Sequence, residues 1–134
     1  MLVSPARIFK SRWLSRFAKR EKIADASLNA AIARAEQGLI DADLGGGLIK
    51  QRVARPGAGR SGGYRMIVAY RAGSRAIFLY GFAKNERENI EPDELEDLRA
   101  LGRRWLNLST QALDAEVREG RLQEVAANDK DKEA

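Results

Sequence analysis

The chain has 134 residues, 44% hydrophobic and 32% charged with a net charge of +5, the make-up of one globular domain. It holds no cysteine and no histidine, which excludes disulfides, thiolate metal sites and imidazole acid–base chemistry. Its apolar runs are too short to cross a bilayer and its basic N-terminus has no apolar signal-peptide core, so no membrane partner and a cytoplasmic location are expected.

In chain order, Ala6 to Lys10 reads as a short strand. A helix over 10–20 follows, with Phe9, Trp13, Leu14 and Phe17 near one face. Asp25 or Ser27 offers an N-cap for a second helix over 27–37, whose stripe is Leu28, Ala31, Ile32 and Ala35 and whose stop is Gly38. Gly45-Gly46-Gly47 breaks the chain, and from Leu48 the period changes to two. Lys50 and Arg52 then project from one face of a strand over 48–54, with Ile49 and Val53 on the other.

Segments 64–71 and 75–84 are rich in β-branched and aromatic residues and read as a hairpin. Gly73-Ser74 suits a two-residue type II′ turn, because glycine takes its first central position. That turn pairs Ala72 with Arg75, sets Arg65 opposite Phe82 and Ile67 opposite Tyr80, and gives Arg65, Phe82 and Lys84 a common face. A three-residue loop would instead pair Arg71 with Arg75 and send Lys84 to the opposite face; the two-residue register is the one expected.

Pro92 opens a third helix over 92–106, with Asp93, Glu94, Glu96 and Asp97 at its positive end and Leu95, Leu98, Leu101 and Trp105 as its stripe. Leu108, Ser109 and Leu113 match a hydrophobic staple around an N-cap, Gly120 closes that helix, and Leu122 to Val125 suit a short edge strand. Residues 126–134 are charged and small and are expected to be a disordered tail, leaving 1–125 as a single domain. The helices are expected to cover one face of an antiparallel sheet through Trp13, Phe17, Leu28, Ile32 and Leu98.

The most unusual stretch runs from Lys50 to Arg65, which carries five basic and no acidic residues around a glycine-dense loop. Residues 50–87 as a whole hold nine basic side chains and one acidic, against seven and thirteen in residues 88–134. Such polarity suggests a polyanionic partner for the middle of the chain. Gly57-Ala58-Gly59-Arg60-Ser61-Gly62 spells a dinucleotide-binding fingerprint, but a strand pattern rather than a helix follows it and no acid stands near position 82. What remains is a basic hairpin, Arg52, Arg60, Arg65, Lys84 and Arg87, interleaved with Tyr64, Tyr70, Tyr80 and Phe82. Guanidinium groups grip phosphate oxygens in pairs and aromatic faces stack bases, as single-stranded RNA recognition requires, although half or more of these rings are expected in the core.

The order of strand, two helices, Gly45-Gly46-Gly47-Leu48-Ile49-Lys50-Gln51-Arg52-Val53, then Gly59-Arg60-Ser61-Gly62-Gly63-Tyr64-Arg65 and Gly81-Phe82-Ala83-Lys84-Asn85-Glu86-Arg87, resembles the RelE/HigB group of type II toxin–antitoxin toxins over roughly residues 6 to 125. The resemblance implies an α+β fold with a curved antiparallel sheet, two N-terminal helices packed on one face and C-terminal helices. It also implies a cognate antitoxin and ribosome-dependent endonuclease action on mRNA. Scission by the ribose 2′-OH needs a proton acceptor, charge neutralisation at phosphorus and a proton donor to the leaving oxygen. By resemblance, Arg65 contacts the phosphate with Arg60 assisting, and Lys84 or Lys50, each crowded by cations, serves as base or acid. Arg52, Arg55 and Arg87 would hold the RNA backbone, Tyr64 and Phe82 its bases, and no cofactor or metal is expected. No tyrosine follows closely after Lys84, as it does in some toxins of the group, which leaves the acid–base assignment open. A non-catalytic or gyrase-directed member of the same superfamily is the alternative.

Overall fold

The computed structural model describes residues 6–54, 63–84, 86 and 89–126. The element order is β1 (Arg7–Ser11), α1 (Arg12–Glu21), α2 (Asp25–Glu36), β2 (Ala42–Gly45), β3 (Leu48–Val53), β4 (Tyr64–Arg71), β5 (Arg75–Ala83), α3 (Pro92–Leu106), α4 (Thr110–Arg118) and β6 (Leu122–Glu124). The six strands form one sheet in the order β2-β3-β4-β5-β1-β6. Every pairing is antiparallel except β1 with β5, which is parallel, so the sheet is mixed rather than wholly antiparallel. The two helices between β1 and the rest of the sheet supply the long crossover that a parallel pair needs.

Local signals explain the helix ends. Ser11 caps α1 by accepting from the Leu14 amide at 3.0 Å, and its own hydroxyl donates to the Leu79 carbonyl at 2.9 Å. Glu91 and Glu94 form a capping box ahead of Pro92, and Ser109 caps α4 through the Ala112 amide. Buried Arg75 donates to the carbonyls of Trp105 and Leu108, at 2.9 and 2.8 Å, and so ties the C-terminal end of α3 to the sheet.

The helices do not share one face. Leu14, Phe17, Leu28 and Ile32 pack with Ile49, Val53, Tyr64, Met66, Val68 and Phe78 on one side. Trp105, Leu106 and Leu113 pack with Leu48, Ile67, Ala69, Ile77, Leu79 and Phe82 on the other, where Leu98 also lies. The expected common face through Leu98 is therefore corrected: α1 and α2 cover one side, α3 and α4 the opposite one. Gly102 makes the second cover possible, since a Cβ there would stand 3.0 Å from Leu48 Cδ2 and 3.1 Å from Ala69 Cβ. Trp13, expected inside, is 42% exposed.

The hairpin register combines both alternatives. At the turn Arg71 pairs with Arg75, and the Ser74 amide donates to the Arg71 carbonyl at 3.0 Å around Gly73 at φ +71°. Farther along, Ile67 faces Tyr80 and Arg65 faces Phe82, because a β-bulge inserts Leu79 between the two registers. Gly45-Gly46-Gly47, expected only to break the chain, is the turn of a β2–β3 hairpin, with all three residues at positive φ. Ala126, placed in the expected tail, is fixed to α2: its amide donates to Asp25 and its carbonyl accepts from Asn29. The remainder of that tail, 127–134, lies outside the described residues.

Candidate nucleic-acid interface

Alternation along β3 and β4 sends Ile49, Gln51 and Val53 toward α1 and α2, and leaves Lys50 and Arg52 on the opposite face. Gln51 is fully buried and satisfied, donating to the Ala31 and Leu39 carbonyls and accepting from the Asp41 amide. On β4, Arg65 continues the face of Ile67 and Ala69. The bulge restores Tyr80 and Phe82 to that same face, and Lys84 is next in the alternation. Arg52, Arg65 and Phe82 are thus in register across three strands, with Lys50, Ile67 and Tyr80 forming the neighbouring row.

Two arginines directly opposite each other bring their Cβ atoms to about 4.5–5.5 Å and repel. Nothing acidic lies between them in the register. Arg65 is half-buried, and its Nη1 atom is fully buried with no hydrogen-bond partner among the described residues. A buried donor without an acceptor costs free energy, so its presence calls for an explanation. Arg52 is exposed, with its amide donating to Asp41 Oδ2 at 2.6 Å and its guanidinium 3.6 Å from Asp41 Oδ1. Lys50 is half-buried and donates to Asn89 Oδ1 at 3.1 Å. Lys84 is exposed, and its backbone amide donates to the Gly63 carbonyl at 3.3 Å.

Arg65, Arg52, Lys50 and Lys84 are therefore brought together on one end of one face. Tyr64 and Phe82 are corrected: they are 1% and 3% exposed. Tyr64 faces α1, packs edge-on against Phe17 at 5.6 Å and donates to Glu21 at 2.9 Å, so it presents no ring to a base. Phe82 belongs to the core beneath α3. Arg55, Arg60 and Arg87 lie outside the described residues. Asp41 and Asn89, which orient Arg52 and Lys50, gave no sign in the sequence, because each becomes a neighbour only through the hairpin and the α3 connector. No group of acidic side chains suited to a metal ion occurs among the described residues.

The sequence model of the RelE toxin of the RelE/RelB toxin–antitoxin system matches residues 6–125. The chain belongs to the RelE toxin family. No curated protein matches it. Membership in the family makes this chain a toxin of a toxin–antitoxin module, with an antitoxin as its partner, and the mixed, curved sheet with four helices is consistent with the family fold. Among the described residues no helix of this RelE-family toxin is long and apolar enough to cross a membrane.

Proposed function

We propose that this RelE-family toxin is an endoribonuclease that cuts mRNA on the ribosome, in the cytoplasm, and so stops translation. The observation that carries the reading is the Arg52–Arg65 pair: two arginines in direct register across the sheet, the second with a buried donor that nothing among the described residues accepts. A phosphodiester supplies what is missing, since its oxygens accept the donor and its charge balances a cation that Asp41, beside Arg52, does not.

In the reaction the ribose 2′-oxygen attacks phosphorus, the bond from phosphorus to the 5′-oxygen breaks, and a 2′,3′-cyclic phosphate and a 5′-hydroxyl result. Arg65, with Arg60 assisting, neutralises the charge that builds on the non-bridging oxygens, which is the largest contribution a site of this kind makes. One lysine takes the proton from the 2′-hydroxyl and the other gives a proton to the leaving oxygen, with Lys50, oriented by Asn89, and Lys84 filling these roles. Arg52, Arg55 and Arg87 hold the flanking backbone.

Adding the purified chain to a translating extract tests the reading. Cleaved mRNA ending in 2′,3′-cyclic phosphate, and only while ribosomes translate, is the expected result. Intact mRNA with growth arrest and DNA damage in cells would instead identify a gyrase-directed toxin.

A further inference from the structure

Asp41 is an acid at the edge of a face proposed to bind a polyanion, a place where charge alone would exclude one. It stands just ahead of β2, whose ladder with β3 begins at the pairing of Ala42 with Lys50. Arg52, two residues farther along β3, lies beyond that ladder, so its outward backbone groups need other partners. Charged side chains take the place of the strand. The Arg52 amide donates to Asp41 Oδ2 at 2.6 Å, and the Arg52 carbonyl accepts from Arg34 Nη2, on α2, at 2.5 Å. Asp41 Oδ1 also stands 3.6 Å from Arg52 Nε.

The carboxylate is itself held in place. The Asp41 amide donates to Gln51 Oε1 at 2.8 Å, and the buried Gln51 donates in turn to the carbonyls of Ala31 and Leu39, at 2.9 and 3.2 Å. A buried amide engaged through both its oxygen and its nitrogen is a rigid support, and this one ties Asp41 to α2 and to the strand that carries Arg52. Arg52 needs such a support. Its side chain is 55% exposed and borders an open cleft of about 280 Å³ that Arg34 and Asp41 also line, so packing does not fix its direction. A long side chain left free must be ordered when it grips a phosphate, and that ordering counts against binding. Asp41 meets the guanidinium at Nε and leaves the Nη1 and Nη2 edge for phosphate oxygens, which that edge can grip in pairs.

We propose that Asp41, with Arg34 on the other side of the same peptide, is a positioning residue for RNA binding: its carboxylate holds Arg52 in the direction in which Arg52 meets the RNA backbone, so that an acid strengthens the grip on a polyanion. The proposal rests on the RNA site proposed above and adds to it the group that orders Arg52 in advance. Asp41 itself touches no phosphate. Two opposed effects set the sign of its contribution. Removing its negative charge favours RNA, but across the width of a guanidinium and through salt that gain is about 2-fold or less. Freeing Arg52 costs the ordering of one long side chain, about 3- to 10-fold in affinity, and this second effect is the larger.

Equilibrium binding of a single-stranded RNA oligonucleotide to the full chain, measured across salt concentrations, tests the proposal as a double-mutant cycle. Asp41→Ala should weaken binding about 3- to 10-fold and make the dependence of log K on log salt shallower, by up to about 0.7 for the phosphate contact that Arg52 makes. Asp41→Asn, which keeps an acceptor for the Arg52 amide, should stay within about 2-fold of the wild type. It carries the test if Asp41→Ala does not fold, and a tightening beyond that factor contradicts the proposal. In an Arg52→Ala background, Asp41→Ala should cost nothing or tighten binding slightly, because only its charge is then left to remove. The proposal is overturned if Asp41→Ala tightens RNA binding in the otherwise wild-type chain, leaves it unchanged, or weakens it equally with and without Arg52. Should Arg52→Ala itself leave affinity and slope unchanged, the proposed RNA site fails together with the proposal; a loss in Arg52→Ala without one in Asp41→Ala overturns the proposal alone.

Discussion

The two faces of the sheet are closed to different extents. Beneath α1 and α2 the cover runs from Ile8 to Val53, Phe78, Met66 and Val68 are fully buried, and the buried Lys10 is paired with Asp25 at 2.9 Å. Beneath α3 and α4 the leucine-rich cover reaches Ile67 and Phe82 and then gives way to Lys50, Arg52, Arg65 and Lys84. A fold governed by stability alone would have no use for two arginines in direct register and a buried donor without an acceptor among the described residues. The closed face holds the molecule together; on the proposed reading, the open end of the other face exchanges stability for a charged ligand.

Substitution should separate the two. Phe78→Ala, on the closed face, is expected to cost about 3–5 kcal/mol of stability, read as a lower denaturant midpoint, while the molecules that remain folded keep their cleavage activity. Arg65→Ala is expected to do the reverse. Cleavage in a translating extract should fall about 100- to 1000-fold, or about 2.7–4 kcal/mol, with stability unchanged or slightly raised because a repulsion and an unsatisfied donor are both removed. If Arg65→Ala unfolds the chain, the contrast between the faces fails.

A smaller effect belongs to acid. Burial alone would push the Glu116 carboxyl up, but hydrogen bonds from Arg121 and Trp105 and the charges of Arg121 and Arg104 outweigh it and hold the group below its usual 4.5. Its folded pKa is therefore lower than its unfolded one, so its contribution to stability is complete above about pH 4.5 and is lost as pH falls toward the folded value. Thermal melts should show the melting temperature declining below that pH, and Glu116→Gln should flatten the decline. A decline of the same slope in the variant would assign it to other carboxylates, such as Asp25, which Lys10 and the Ala126 amide hold low against the effect of burial.

Much of this contrast was legible in the sequence, and the parts that were not have identifiable causes. Period-two alternation located β3, β4 and β5 and put Lys50 and Arg52 together, because a strand allows its side chains only two directions. The pairing of Arg65 with Phe82 was anticipated for an incomplete reason: the turn is one residue longer than expected, and the Leu79 bulge compensates for it farther along. A bulge has no sequence mark here beyond the run of large apolar residues that surrounds it. The helical stripes showed that Leu28 and Leu98 are buried but not against which side of the sheet, since an apolar stripe carries no sign of direction. Aromatics assigned to bases, Tyr64 and Phe82, are core because a sheet covered on both faces needs apolar residues on both.

In the proposed site, Arg65 contacts phosphate. Binding of a single-stranded RNA to the full chain, measured across salt concentrations for the wild type and for Arg65→Ala, tests it most directly. Each lost phosphate contact should make the dependence of log K on log salt shallower by about 0.7. A slope reduced by that amount in Arg65→Ala, and unchanged in Arg71→Ala at the distant turn, is the predicted result. An identical slope in the wild type and in Arg65→Ala would show that the opposed arginines do not hold the RNA backbone.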